Sequence, residues 1–131
     1  MSEVTTYKDL VVWRASVDLA VQVYALTDRF PRAERFGLIS QMRRAAVSIP
    51  ANVAEGNSRH STRAYINHLH IALGSAGELA ALIEISRRLS YLAPLDAGTL
   101  SGDLERVGRM LSGLRAALQR RVKVEPEDSA P

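Results

Sequence analysis

The sequence predicts an all-α protein, an antiparallel up-down-up-down four-helix bundle whose second helix is kinked at Pro50. Three observations lead there. Apolar residues recur at steps of three and four along most of the chain, the spacing of one helical face. Turn signals at Phe30-Pro31, Gly56-Asn57 and Leu92-Ala93-Pro94 cut this pattern into four stretches joined by short links, which leave successive helices antiparallel. No alternating, strand-like pattern competes. With 131 residues, 47% of them hydrophobic, the chain can bury one core of its own. The expected organisation is a single bundle domain over residues 1–124 and a polar, disordered tail over 125–131.

In the first stretch, Leu10, Trp13, Val17, Ala20 and Tyr24 form one apolar face, and Val12, Leu19, Val23 and Leu26 run beside it. Asp9 is placed to cap the start, its carboxylate accepting from the free N–H groups of the first turn. The second helix is expected from Ala33 or Glu34, with Phe36, Ile39, Met42 or Arg43, Ala46, Ile49 and Val53 inward. Pro50 lacks a backbone donor and crowds the carbonyl of Ala46, predicting a kink or local break. Gly56-Asn57 is expected to end this helix in a left-handed conformation.

Ser61 or Thr62 caps the third helix. Its seam, Tyr65, Leu69, Ala72, Ala76, Leu79 and Ile83, repeats every seven residues. Gly74 and Gly77 interrupt it, suggesting close approach by a neighbouring helix. The fourth helix carries the most regular seam: Ala97, Leu100, Leu104, Val107, Leu111, Leu114 and Leu118. Extra apolar positions on the first and third helices (Ile66, Leu73, Ala80 and Leu82 on the third) exceed what one core needs. They predict a homo-oligomer.

Composition narrows the function classes. With no cysteine there is no disulfide framework, thiolate metal site or cysteine nucleophile. No uninterrupted apolar run approaches the ~20 residues of a membrane span, and Met1-Ser2-Glu3-Val4 lacks a secretory layout, so no membrane partner is expected and a cytoplasmic location is. His68 and His70, two apart on a helix, point away from each other and cannot share an ion, and His60 has no carboxylate at ligand spacing. Neither metal nor cofactor is expected. The string Gly74-Ser75-Ala76-Gly77-Glu78 lacks the Lys-Ser/Thr of a phosphate loop. No nucleophile elbow or His-Glu-x-x-His pattern is present. A non-enzymatic protein is the expectation.

The formal net charge of +3 is distributed unevenly. Residues 29–63 and 87–124 carry +5 each, against −2, −2 and −3 over 1–28, 64–86 and 125–131. Fifteen of the seventeen cations are Arg, whose planar fork pairs with phosphate. Two readings stand for the constellation Gln41, Arg43, Arg44, Ser48, Asn52, Glu55 and Arg59. One is a structural polar network at the kink (Gln41, Ser48, Asn52, Glu55 and Gly56), in which Asn52 satisfies the carbonyl freed by Pro50. The other is a phosphate-facing site built from Arg43, Arg44, Arg59 and Arg63. Seven aromatics, none between Ile66 and Ser90, offer little for base stacking, so any RNA contact should be with its backbone.

One long string carries a further signal: Gly37-Leu38-Ile39-Ser40-Gln41-Met42-Arg43-Arg44-Ala45-Ala46-Val47-Ser48-Ile49-Pro50-Ala51-Asn52-Val53-Ala54-Glu55-Gly56. With Tyr7-Lys8-Asp9-Leu10-Val11-Val12-Trp13, Phe30-Pro31 and Ile71-Ala72-Leu73-Gly74-Ser75-Ala76-Gly77-Glu78-Leu79, it resembles the four-helix-bundle proteins encoded in intervening sequences of bacterial 23S ribosomal RNA genes. The likeness spans residues 5 to 118. It implies a cytosolic bundle assembled as a ring of five, related to the accessory variability proteins of diversity-generating retroelements, which are basic barrels that bind a reverse transcriptase and nucleic acid. The function expected is nucleic-acid association, with ribosomal or other structured RNA as partner and Arg43, Arg44, Arg59, Arg63, Arg87 and Arg88 as candidate contacts. Asn52, Glu55 and Gly56 are expected to be structural. The alternative is a ring-shaped scaffold for a protein partner, without nucleic acid.

Overall fold

The computed structural model describes residues 7–124, which form α1 (Tyr7–Thr27), α2 (Leu38–Ser58), α3 (Thr62–Arg88) and α4 (Pro94–Val124), with a 3₁₀ turn at Arg32–Glu34. Among the described residues there is no strand. Residues 125–131, read from the sequence as a tail, lie outside the described residues, as do Met1–Val4. Each helix packs against two neighbours, in the cycle α1–α2–α3–α4–α1. That is the arrangement of an up-down-up-down bundle.

The α3 and α4 seams are the core. Tyr65, Leu69, Ala72, Leu79, Leu100 and Leu111 are fully buried, and the remaining seam residues nearly so. On α1 the core stripe is Val12, Leu19 and Val23, while Leu10, Trp13 and Tyr24 stand at the surface with Val21. Because α1 and α3 are apolar on two sides, both are long and apolar enough to cross a membrane by length and composition alone. Counting uninterrupted apolar residues misses this property. The buried core helix of a bundle meets the same criterion.

The structure corrects several local expectations. Asp9 lies inside the first turn of α1, two residues past its start, and not at the N-cap position. Its buried carboxylate accepts from Asn57 Nδ2 at 2.8 Å and from Tyr65 OH at 3.2 Å, tying the start of α1 to α2 and α3. The second helix begins at Leu38 because Glu34 caps it from outside, Oε1 accepting from the Leu38 N–H at 3.1 Å. Phe36 therefore falls in the turn before α2 and is 87% exposed, where an inward position was expected. No break occurs at Pro50, since α2 runs through it as one helix.

Gly56 lies within α2, no glycine has positive φ, and the helix ends at Ser58. A Cβ at Gly56 would stand 2.6 Å from Tyr65 Cδ1 and 2.9 Å from His68 Cβ. This glycine thus serves the close approach of α3. Gly74 and Gly77 have open space where a Cβ would be, so no helix of this chain closes on them. Ser61 is the cap of α3, its Oγ accepting from the Ala64 N–H at 3.1 Å. After α3 the chain turns through Ser90 at φ 64°, with the Tyr91 N–H returning to the Ser86 carbonyl at 2.9 Å.

Candidate nucleic-acid interface

The six arginines singled out from sequence do not form one cluster. Arg43 is half-buried and engaged: Nε donates to Thr27 Oγ1 at 3.0 Å, Nη2 donates to the Tyr24 carbonyl at 3.3 Å, and the guanidinium lies 4.5 Å from the Tyr24 ring centroid. Asp28 is 4.0 Å away. Arg59 pairs with Glu55 at 3.3 Å across one helical turn, a contact worth little in water. Arg87 and Arg88 both grip Glu84, at 2.8 to 3.0 Å. Their hydrogen bonds hold the Glu84 carboxyl down at about 2. Arg44 stands on the outer face of α2, and Arg63 on the first turn of α3.

The polar network at Pro50 is smaller than the sequence reading and has different members. Ser48 Oγ meets Ser75 Oγ at 2.7 Å, joining α2 to α3. Asn52 Nδ2 donates to the Ser48 carbonyl at 2.9 Å, two residues on from the Ala46 carbonyl it was expected to satisfy. Asn52 Oδ1 accepts from His68 Nδ1 at 2.9 Å, which fixes the ring tautomer with its proton on Nδ1. Gln41 and Glu55 lie outside this network on the exposed side of α2. Ser75 and His68 came from α3, and only the packing of α3 on α2 joins them to the network.

A further basic feature lies between α3 and α4. Antiparallel packing brings the first turns of α3 beside the last turns of α4, where an open groove of about 770 Å³ is lined by Arg63, Asn67, His70, Gln119, Arg120 and Lys123 over Ile66, Ala116 and Val122. At its edge Arg115 Nη1 donates to His70 Nδ1 at 3.3 Å, so that His70 is held as the acceptor. The residues of α3 from Thr62 to Gly77 include no carboxylate, and neither do those of α4 from Arg106 to Val124. Of the six cations of that α4 segment, Arg115 and Arg120 have no carboxylate within one turn on α4. Two others, Arg121 and Lys123, lie in the last turn, where the negative end of the helix dipole favours cations. Arg120 is exposed at the groove, with the amide donors of Asn67 and Gln119 set beside it. Arg63 is the one residue of this groove singled out from sequence as a nucleic-acid contact. Arg120 and Lys123 were visible only as part of the +5 over residues 87–124.

Such a groove can bind phosphate by charge and hydrogen bonding, and holds no nucleophile–base pair. Among the described residues no group of three His, Asp or Glu is placed to hold a metal ion. Comparison with known proteins agrees with the fold and the motif string. A crystal structure of a protein of unknown function from the S23 ribosomal protein family of Bacteroides thetaiotaomicron superimposes with a TM-score of 0.78 at 27% identity, covering 83% of this chain and 98% of the other. No curated relative matches the sequence. The family described as 23S rRNA-intervening sequence protein matches residues 8–113, a span that takes in α2, α3 and most of α1 and α4, and the chain belongs to that family.

Proposed function

We propose that this protein is a non-enzymatic, self-associating bundle that binds structured RNA through the phosphate backbone, using the α3–α4 groove. The observation that carries this reading is that Arg63, Arg120 and Lys123 line one open groove with the amide donors of Asn67 and Gln119. Sequence-independent recognition of a polyanion uses cations and donors that reach phosphate oxygens. Membership of a family named for a ribosomal RNA intervening sequence supports RNA as the polyanion. Self-association is supported by the surface stripe of Leu10, Trp13 and Val21 on α1, three large apolar side chains on a helix whose opposite side already fills the core. A ring of five is the arrangement that family resemblance implies, and it would repeat the groove in every subunit.

Electrophoretic titration against structured ribosomal RNA at low and moderate salt tests the reading. If about four phosphates are neutralised, affinity falls roughly 10²-fold between 50 and 200 mM salt. The double variant Arg120→Ala, Lys123→Ala should weaken binding and flatten that dependence. No binding by the unaltered protein at low salt would refute the proposal. The same α1 stripe favours a second reading, a scaffold for a protein partner. Capture from lysate with and without nuclease separates the two, since a protein contact survives nuclease and an RNA tether does not.

A further inference from the structure

A second groove lies at the far corner of the bundle, where the end of α1 meets the start of α2. It encloses about 570 Å³ and is lined by Tyr24, Arg35, Phe36, Ile39, Arg43 and Arg44, with Val47 and two serines completing the wall. None of its lining residues is acidic. We propose that this corner binds an unpaired nucleobase, with Phe36 as the stacking platform and Arg35 and Arg44 on the flanking phosphates. This inference rests on the nucleic-acid reading above and deepens it, adding a single-stranded segment to the backbone contact made by α3 and α4.

Three features of the corner support the assignment. Phe36 is 87% exposed and Tyr24 46% exposed, so two aromatic side chains present surface at one groove. Each carries a guanidinium over one face, leaving the other for a base: Arg35 lies 5.4 Å from the Phe36 ring centroid and Arg43 4.5 Å from that of Tyr24. An aromatic face with adjoining Arg is the chemistry that holds unpaired bases, since every base has a π-face to stack and a phosphate on either side. The corner is also braced. Glu34 uses Oε1 to accept from the Leu38 N–H and Oε2 to accept from Tyr91 OH at 3.2 Å, while Phe30 packs on Tyr91 with ring centroids 5.5 Å apart. The turn that carries Phe36 is thus fixed on both sides.

Arg43 acts here as a positioning residue. Its bonds to Thr27 and the Tyr24 carbonyl hold its plane over the Tyr24 ring, which sets the orientation of the groove wall. The carboxylate of Asp28 stands 4.0 Å from Arg43 and points to solvent, leaving Arg35 and Arg44 to meet phosphate. An acidic or apolar protein segment is the competing occupant, but the pairing of exposed rings with guanidinium groups fits a base and its phosphates better than either.

The test uses the full chain and a short single-stranded RNA carrying a fluorescent purine analogue, whose emission is quenched on stacking, with the same sequence as a duplex for comparison. The single strand should be quenched on binding and the duplex should not. Phe36→Ala should abolish the quenching and weaken binding roughly 5- to 100-fold, the range that loss of one stacking platform produces. Phe36→Trp should keep both. Because Phe36 makes little contact with the core, these variants keep the fold, which circular dichroism checks. Binding of the single strand with quenching unchanged in Phe36→Ala would overturn this inference and leave the backbone reading intact. Absence of any RNA binding by the unaltered protein would overturn both. A fall in mass by light scattering for Phe36→Ala, with RNA binding and quenching unaltered, would assign the corner to a second copy of the chain and overturn the base site.

Discussion

Replacing Gly56 by alanine tests how closely α2 and α3 approach. The added Cβ would lie 2.6 Å from Tyr65 Cδ1 and 2.9 Å from His68 Cβ, well inside the ~3.5–4.0 Å at which carbon atoms rest. One of these neighbours is the Cβ of His68, which no side-chain rotation can move. The other belongs to a ring that is fully buried and tethered through its hydroxyl to Asp9. Relief therefore requires the two helices to separate by about 1 Å. Overpacking of this kind costs about 1–3 kcal/mol, while exchanging glycine for alanine inside a helix returns about 1 kcal/mol. With both neighbours fixed, the upper part of the first range applies, leaving a net loss of about 1–2 kcal/mol. For a chain of this size that lowers the melting temperature by roughly 4–8 °C. Gly74→Ala is the matched control, because nothing lies within 4 Å of its added Cβ. It should gain about 0.5–1 kcal/mol from helix propensity alone. Thermal and urea melts of the two variants at one fixed protein concentration measure the difference. A Gly56→Ala protein as stable as the parent would refute the packing argument, as would a Gly74→Ala protein equally destabilised.

Four further outcomes follow from the same geometry. Asp9→Ala removes the acceptor shared by Asn57 and Tyr65; losing these buried and part-buried hydrogen bonds should cost about 1–3 kcal/mol, measured by urea melts. Burial, followed by the nearby charge of Asp9, pushes the Tyr65 phenol well above its ordinary value. The folded state therefore favours the neutral phenol, so its contribution is complete below pH ~10 and is lost as pH rises beyond that; absorbance titration of tyrosinate should show this residue ionising last, together with unfolding. Glu84→Gln releases Arg87 and Arg88 from their fork and, because exposed ion pairs contribute little, should change stability by less than about 1 kcal/mol in a urea melt. Ser90 sits at φ 64° behind α3, a conformation glycine adopts without strain, so Ser90→Gly should stabilise the protein by about 0.5–1 kcal/mol in a thermal melt.

The seams of α3 and α4 were legible because one regular stripe on each leaves no choice of inward face. On α1 two apolar stripes of similar strength lie side by side, and nothing local ranks Val12, Leu19 and Val23 above Leu10, Trp13 and Tyr24. The start of α2 was misplaced for a related reason. Its cap is supplied by Glu34 from outside the helix, and local patterning places Phe36 inside when the turn puts it outside. Gly56 was recognised as special and given the wrong role, because a left-handed end and a close contact both call for glycine. Of the binding surfaces, only fragments could be read. Arg63 is about sixty positions from Lys123 along the chain, and an antiparallel pair of helices is needed to make them neighbours.

What the sequence by itself determined is the class of fold and the family. Helical periodicity, turn residues and the string around Pro50 are local, and they survive without knowledge of any partner segment. Tertiary structure alone decided which charges matter. It commits Arg43 to α1, whereas Arg59, Arg87 and Arg88 meet carboxylates one turn away on their own helices, pairs that local spacing already allows. It gathers cations of α3 and α4 where neither helix carries an acid. Net charge is a sum over the chain, whereas the field that a polyanion meets depends on distance and on what each charge is already bound to. Only the packing of the four helices sets those distances.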